Sequence, residues 1–586
     1  MDHSSIFASQ LSSPILSEDY SDIIVRRQFL PSSTDVPYTQ QIVNEQYSIL
    51  YAPLSDQLAS VQTVGYAGVP KLFTFINTVS LEASGITTLQ TQPFLNLKGN
   101  GVLVGFLDSG IDYRHAAFRN PDGTTRILGI WDQTDQTGTP PPGLSYGSAY
   151  SEADINAALF GNTEASRIPV PETSETQNAI AENQIASAIE ELNPGGHGTA
   201  VAGIACGSAD PESNFTGAAP ESHLLVVRLK PAKQYLRDYF QIPEGAQAFQ
   251  ENDLMLGIRY LLDSARQLQM PLVICCSLGS NQGGHTGTTP LEEVLVSAQF
   301  LSGIYPIAGT GNEAGMAHHF YGKLDRLNDS TDVELFVSEG TRGFVAEFWA
   351  EPSDLFDVGF ISPLGETVLP SYSGPMSFQT FEFLREATKI SVYYSTLEMQ
   401  SGQLLLFIRF ENPSPGMWRL RVTNRSYVNG SFHMWLPITG LIPPETRFAS
   451  PNPDTTLVIP SCPEPVITVG AYNAYNGSLF LRSGRGYTRN GILKPNFASP
   501  GVDVTCPRPG GSYGALTGSS AACALASGGA ALLAQWGLQR FQTRYLLQRE
   551  LRNLFLRGVD QNSIYHYPNR EWGYGTMNLY QIFERL

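Results

Sequence analysis

Four apolar runs stand out between residues 102 and 309: Val102–Leu107, His223–Leu229, Pro271–Ser277 and Tyr305–Gly309. None alternates apolar with polar, so each reads as a strand covered on both faces, as in a parallel sheet. Between the second and third runs lies Asn252–Gln269, where Leu254, Ile258, Leu261 and Leu262 recur at helical spacing. Strand, helix, strand in that order predicts a βαβ unit with a right-handed crossover. Functional groups in such sheets gather at the carboxyl ends of strands, and Asp108 stands at one of them.

The pattern changes over residues 320–450. Short segments such as Gly343–Trp349, Lys389–Tyr394, Leu404–Phe410 and Trp418–Val422, separated by turns and rich in aromatics, predict an antiparallel β-sandwich. Residues 1–78 mix short apolar runs, Ile23–Val25 and Tyr47–Tyr51, with polar turns, and read as a small α/β unit. Near the other end the small-residue run Ala521–Trp536 reads as a buried helix. The expected organisation is an N-terminal unit (1–78), an α/β domain in two parts (79–319 and 451–586) and the all-β module (320–450) between those parts.

The chain has 586 residues, more than one core usually covers. A net charge of −18 with 15% charged and 42% hydrophobic residues describes a folded acidic protein and argues against nucleic acid as a partner. Met1-Asp2-His3-Ser4-Ser5 is not a basic region leading into an apolar run, so no secretory signal is expected. No apolar stretch reaches about 18 residues, so neither a membrane span nor a membrane partner is expected. The six cysteines, including the adjacent Cys275-Cys276, follow no disulfide or zinc spacing and read as reduced core residues. His318-His319 lacks a further ligand at metal-binding spacing and reads as a pair of exposed loop histidines. Glu172–Glu191 reads as a solvated surface helix and loop.

Three segments carry the chemistry: Gly105-Phe106-Leu107-Asp108-Ser109-Gly110-Ile111-Asp112, Gly196-His197-Gly198-Thr199-Ala200-Val201-Ala202-Gly203 and Thr517-Gly518-Ser519-Ser520-Ala521-Ala522. They supply an acid, a base and a nucleophile in the order Asp, His, Ser, the order found in subtilisin. Each alone is common. Asp-Ser-Gly suits a turn and leaves Asp112 as a rival carboxylate, and the other two suit ordinary helix starts. Together they make a reaction. Ser520 is a poor nucleophile until His197 takes its proton and returns it to the leaving amine, while Asp108 holds the imidazole tautomer. The oxyanion needs fixed donors. The Ser520 N–H at a helix start supplies one, and Asn312, in Gly309-Thr310-Gly311-Asn312-Glu313, is the side-chain candidate, although an asparagine among glycines also suits a plain turn. The chain reads as a serine peptidase.

These segments, with Asn96–Val102, Ile130–Thr134 and Lys494–Gly501, resemble the subtilase (subtilisin-like serine protease) family, and within it are most similar to the clostridial Csp germination proteases. The likeness runs from about Ser80 to the end. It implies an α/β fold: a subtilisin-like parallel sheet with flanking helices, preceded by an α/β prodomain that is cut off autocatalytically between Phe75 and Ser80, and interrupted by a jelly-roll insertion. Carried over position by position, Asp108, His197 and Ser520 match the triad and Asn312 the oxyanion asparagine. Ser277, Leu278 and Gly279 match the substrate-binding strand, whose backbone pairs with an extended peptide. The implied partners are a peptide or protein substrate and the chain's own prodomain, which in some Csp proteins stays bound in the cleft. Two departures are visible: Ser519 stands where threonine is usual, and Ala524 where many subtilases have proline. Some Csp relatives have lost triad members and act as sensors; with all three positions filled here an active endopeptidase is expected, and a catalytically silent sensor or binding protein is the alternative. No cofactor is expected for catalysis. Calcium supports many subtilases, but its ligands are not assigned here. A protein precursor in spore germination is the implied substrate, and the bacterial cytoplasm or the spore the implied setting.

Overall fold

The computed structural model describes residues 14–29, 38–54, 65–75, 83–92, 94–161, 196–369, 374–542 and 544–586. Over these residues an eleven-stranded mixed sheet runs through the α/β body. Its parallel centre follows the spatial order Ile127–Asp132, His223–Arg228, Leu103–Asp108, Leu272–Cys276, Ile304–Gly309, Ile467–Asn473, Phe497–Pro500. The four unbroken apolar runs are four neighbours in this centre. Their lack of alternation has the expected cause, since successive side chains enter opposite layers. Val104 and Phe106 lie in one core with the helices His197–Cys206 and Ser519–Phe541, whereas Leu103 and Leu107 lie in the other with the helix Glu251–Leu268.

The helix Ser519–Phe541 is longer at both ends than the predicted Ala521–Trp536, so Ser520 sits inside its first turn. It is also long and apolar enough to cross a membrane, contrary to the expectation of no such stretch. Its burial accounts for the apolarity. Small residues let it lie close against its neighbours: a Cβ on Gly528 would meet Ala218 Cβ at 2.4 Å and the Ala205 carbonyl at 2.6 Å.

Between His319 and Phe448 the chain forms a six-stranded and a five-stranded antiparallel sheet packed face to face. Phe344, Phe348 and Phe410 of the first interleave with Phe356, Phe360 and Trp418 of the second. The strand Gly343–Ala350 is buried along its whole length because the far face of its sheet also packs. There Val345, Trp349, Phe407 and Trp435 meet Tyr66, Leu72, Leu236 and Phe240 of the rest of the chain.

Among the described N-terminal residues, Tyr20–Arg26, Thr39–Ile42 and Tyr47–Pro53 form a three-stranded antiparallel sheet preceded by a helical turn at 14–16. Ile24, Ile49 and Tyr51 share a core with Phe249 and Leu254 of the α/β body. All six cysteines are free and buried. The Glu172–Glu191 segment and residues 76–82, which hold most of the expected cleavage region, lie outside the described residues.

His318 and His319 are not exposed. They are 1% and 2% accessible, and His319 opens the first sandwich strand, His319–Lys323. Burial is possible because their nitrogens find partners: His318 Nδ1 meets Glu313 Oε2 at 2.7 Å, and His319 meets the Asn452 carbonyl and His433 Nδ1.

Candidate active site

Three elements converge at one edge of the sheet. Asp108 is the last residue of its strand, His197 the first of the helix His197–Cys206, and Ser520 lies in the first turn of the helix Ser519–Phe541. His197 Nδ1 lies 2.8 and 2.9 Å from the two Asp108 carboxylate oxygens, and Nε2 lies 3.3 Å from Ser520 Oγ. The Nδ1 contact assigns the proton to that nitrogen and leaves Nε2 as the acceptor facing the serine. Asp112, the rival carboxylate, is bound elsewhere: Oδ2 accepts from Gly510 N at 2.9 Å and Oδ1 from Arg114 N at 3.1 Å.

The close approach of the His197 helix to Asp108 depends on Gly198. A Cβ there would lie 2.1 Å from the Gly110 carbonyl and 3.1 Å from Asp108 Oδ1. The triad is also sealed from water, with Asp108 1% exposed and His197 and Ser520 fully buried. In such surroundings fixed donors and charges act with little solvent screening.

Asn312 follows the strand Ile304–Gly309, and its Oδ1 accepts from Ser519 N at 3.0 Å. That bond orients the amide and leaves Nδ2 as its donor end. The Ser520 N–H stands beside it in the first helical turn, where the helix dipole favours negative charge. The structure thus brings the four predicted residues together, from positions separated by as many as 412 residues along the chain (520 − 108).

Leu278 and Gly279 form a short strand, as the resemblance implies, and it is paired. Leu72–Phe75 runs antiparallel to it, with Phe75 opposite Leu278 and Thr74 opposite Gly279. On its other side the same segment pairs with Phe249–Gln250, so it is the middle strand of three. An extended stretch of the chain's own backbone therefore fills the place expected for a peptide.

Ser277 does more than sequence reasoning assigned to it. Its hydroxyl donates to Asp108 Oδ2 at 2.9 Å, while its carbonyl lies 3.1 Å from Ser520 Oγ and competes with His197 Nε2 for that hydroxyl's one proton. One residue thus touches two members of the triad. Nothing in a Cys-Ser-Leu-Gly stretch signals this, because both partners are distant in sequence.

A sheet edge where one strand end and two helix starts bring an aspartate, a histidine and a serine into one hydrogen-bonded line is the framework of a serine peptidase. The family model described as "Subtilase family" matches residues 99–333 and 429–575. The chain belongs to that family, and membership implies serine protease activity. Among solved structures it is similar to the CspB protease of Clostridium perfringens, with 30% identity, a TM-score of 0.72, and coverage of 86% of this chain and 96% of that one. The prenylagaramide maturation protease PagA also aligns, at 14% identity and a TM-score of 0.41, over 86% of this chain and 98% of that one. No curated protein matches.

Proposed function

We propose that the chain is a serine endopeptidase that cuts its own N-terminal segment and keeps the severed unit docked as a prodomain. The observation that carries this reading is the seating of Leu72–Phe75 beside Leu278–Gly279, directly ahead of the expected cut between Phe75 and Ser80. In this reading Ser520 Oγ adds to the peptide carbonyl while His197 Nε2 takes the hydroxyl proton. Asn312 Nδ2 and the Ser520 N–H receive the oxyanion, Nε2 passes its proton to the departing amine, and water releases the acyl group by the same route.

Docking after the cut is supported by buried polar contacts between the N-terminal unit and the α/β body. Asp22 is 2% exposed, and its carboxylate meets Lys233 Nζ at 2.5 Å, Gln250 Nε2 at 2.7 Å and Asn252 Nδ2 at 2.8 Å. A unit held in this way blocks the cleft, so the processed enzyme is latent until the unit is displaced. The β-sandwich is read as the family's jelly-roll insertion. A protein precursor in spore germination as substrate, and the bacterial cytoplasm or spore as setting, rest on the Csp likeness.

The test is intact mass of the wild type beside Ser520→Ala, with N-terminal sequencing of any fragment. Loss of this nucleophile costs about 10⁶ in kcat in subtilisin itself, so the variant should stay full length while the wild type is cut near residues 75–80. If both stay whole, the silent sensor or binding protein takes the place of this reading.

A further inference from the structure

We propose that Glu313, the residue after Asn312, is a positioning residue through which the β-sandwich holds the oxyanion donor in place. This rests on the peptidase reading above. Glu313 is 3% exposed and makes three contacts. Oε2 accepts from Asn281 Nδ2 at 3.1 Å and lies 2.7 Å from His318 Nδ1, and Oε1 accepts from Thr439 N at 3.2 Å.

Each contact comes from a different part of the molecule. Asn281 lies two residues beyond the Leu278–Gly279 strand. His318 immediately precedes the first sandwich strand, and Thr439 lies in the segment leaving His433 and Trp435. Asn281 Nδ2 also donates to the Leu436 carbonyl at 3.2 Å, and Leu436 N donates to the His318 carbonyl at 2.9 Å. The carboxylate is therefore a hub joining the peptide-binding strand, the oxyanion loop, the entry to the inserted module and the segment after its strand Ser431–Trp435. His318 Nε2 is buried with no hydrogen-bond partner among the described residues, so the ring's one side-chain hydrogen bond goes to Glu313. Burial by itself would raise the Glu313 carboxyl, but the adjacent imidazole and the Thr439 contacts outweigh it and hold the group below the usual carboxylate range. It stays ionised as the acceptor for all three donors.

The backbone between Glu313 and Asn312 is one peptide bond, and Asn312 reaches Ser519 N through Oδ1. A shift of the Glu313 end therefore moves Nδ2 relative to the site where the oxyanion forms. A misplacement of about 1 Å in such a group can cost about 10²-fold in rate.

The experiment measures the rate of autocleavage of the full chain after cell-free synthesis, with the unfolding midpoint in urea taken on Ser520→Ala versions of each variant. Asn312→Ala should slow cutting by about 10²–10³, the range measured for this donor in subtilisin. Glu313→Gln should slow it by about 10- to 100-fold. In the Asn312→Ala background Glu313→Gln should add less than about twofold, because it acts through a donor already removed. His318→Leu should mimic Glu313→Gln, and His318→Gln, which keeps an N–H donor, should recover part of the rate. That pair reads the same contact if Glu313→Gln does not fold. A wild type that is never cut overturns the peptidase reading. A wild type that is cut, with Glu313→Gln equally fast or equally damaging without the Asn312 amide, overturns the positioning role alone.

Discussion

Replacing Asp22 by alanine asks how firmly the N-terminal unit is held. The carboxylate receives Lys233 Nζ at 2.5 Å, Gln250 Nε2 at 2.7 Å and Asn252 Nδ2 at 2.8 Å, all from the α/β body. Lys233 is itself buried, and its other acceptors are the carbonyls of Tyr20 at 3.1 Å and Pro14 at 3.3 Å, on the same side as Asp22. Removing one partner of a buried ion pair costs about 3–5 kcal/mol, because the remaining charge is left without compensation. The two carbonyls left to Lys233 place this case near about 3 kcal/mol. Once the unit is released, Lys233 is in water, so the cost falls on the docked state alone. At about 1.4 kcal/mol per decade, the severed unit should bind about a hundredfold more weakly. Size-exclusion chromatography of processed protein at falling concentration reads this directly, with the Asp22→Ala fragment separating at concentrations where the wild-type fragment co-elutes. In a Ser520→Ala background, where no cut occurs, the same loss should lower the unfolding midpoint in urea. A fragment that co-elutes over the same dilution range, with an unchanged midpoint, would refute the assignment of Asp22 as an anchor.

Two further outcomes follow from the geometry. Gly198→Ala should both destabilise the fold, by about 1–3 kcal/mol for an overpacked contact, and slow autocleavage, since relief of the clash with the Gly110 carbonyl moves His197 from Asp108; thermal unfolding and intact mass check the two effects. Glu292 is pushed up to about 7 by burial, despite its hydrogen bonds from Thr289. Its folded form therefore binds a proton that the unfolded form, titrating in the usual carboxylate range, has released, so its contribution to stability falls as pH rises from about 4.5 to about 7. Glu292→Gln should flatten that fall, by a difference on the order of 3 kcal/mol between pH 5 and pH 7.5, and urea unfolding at the two pH values would show parallel losses in both proteins if this reasoning is wrong.

Much of the fold was legible because its signals are local. The apolar runs that predicted strands are the strands Leu103–Asp108, His223–Arg228, Leu272–Cys276 and Ile304–Gly309, and the helical spacing over Asn252–Gln269 is the helix Glu251–Leu268. Two readings differ from the structure, for different reasons. His318 and His319 looked exposed because two adjacent polar side chains gave no sign of Glu313, Asn452 and His433, the partners that let them be buried. The Ser519–Phe541 helix extends past the predicted Ala521–Trp536 at both ends, and its mean hydropathy reaches that of a membrane span although 89% of that apolar window is buried in the protein.

The sequence by itself determined which groups are present, their order, and the strands and helices that carry them, since periodicity and propensity act over a few residues. It left open whether Asp108 or Asp112 faces the histidine, and whether Asn312 is a donor or merely a turn. Tertiary structure decided the first, by bringing Asp108 to His197 across 89 residues, and it set Asn312 Oδ1 on Ser519 N, one residue before Ser520. It also placed Ser277 against Asp108 and Ser520 and laid Leu72–Phe75 along Leu278–Gly279. Such contacts depend on the path of the whole chain through a parallel sheet, and that path is written in no single stretch of residues.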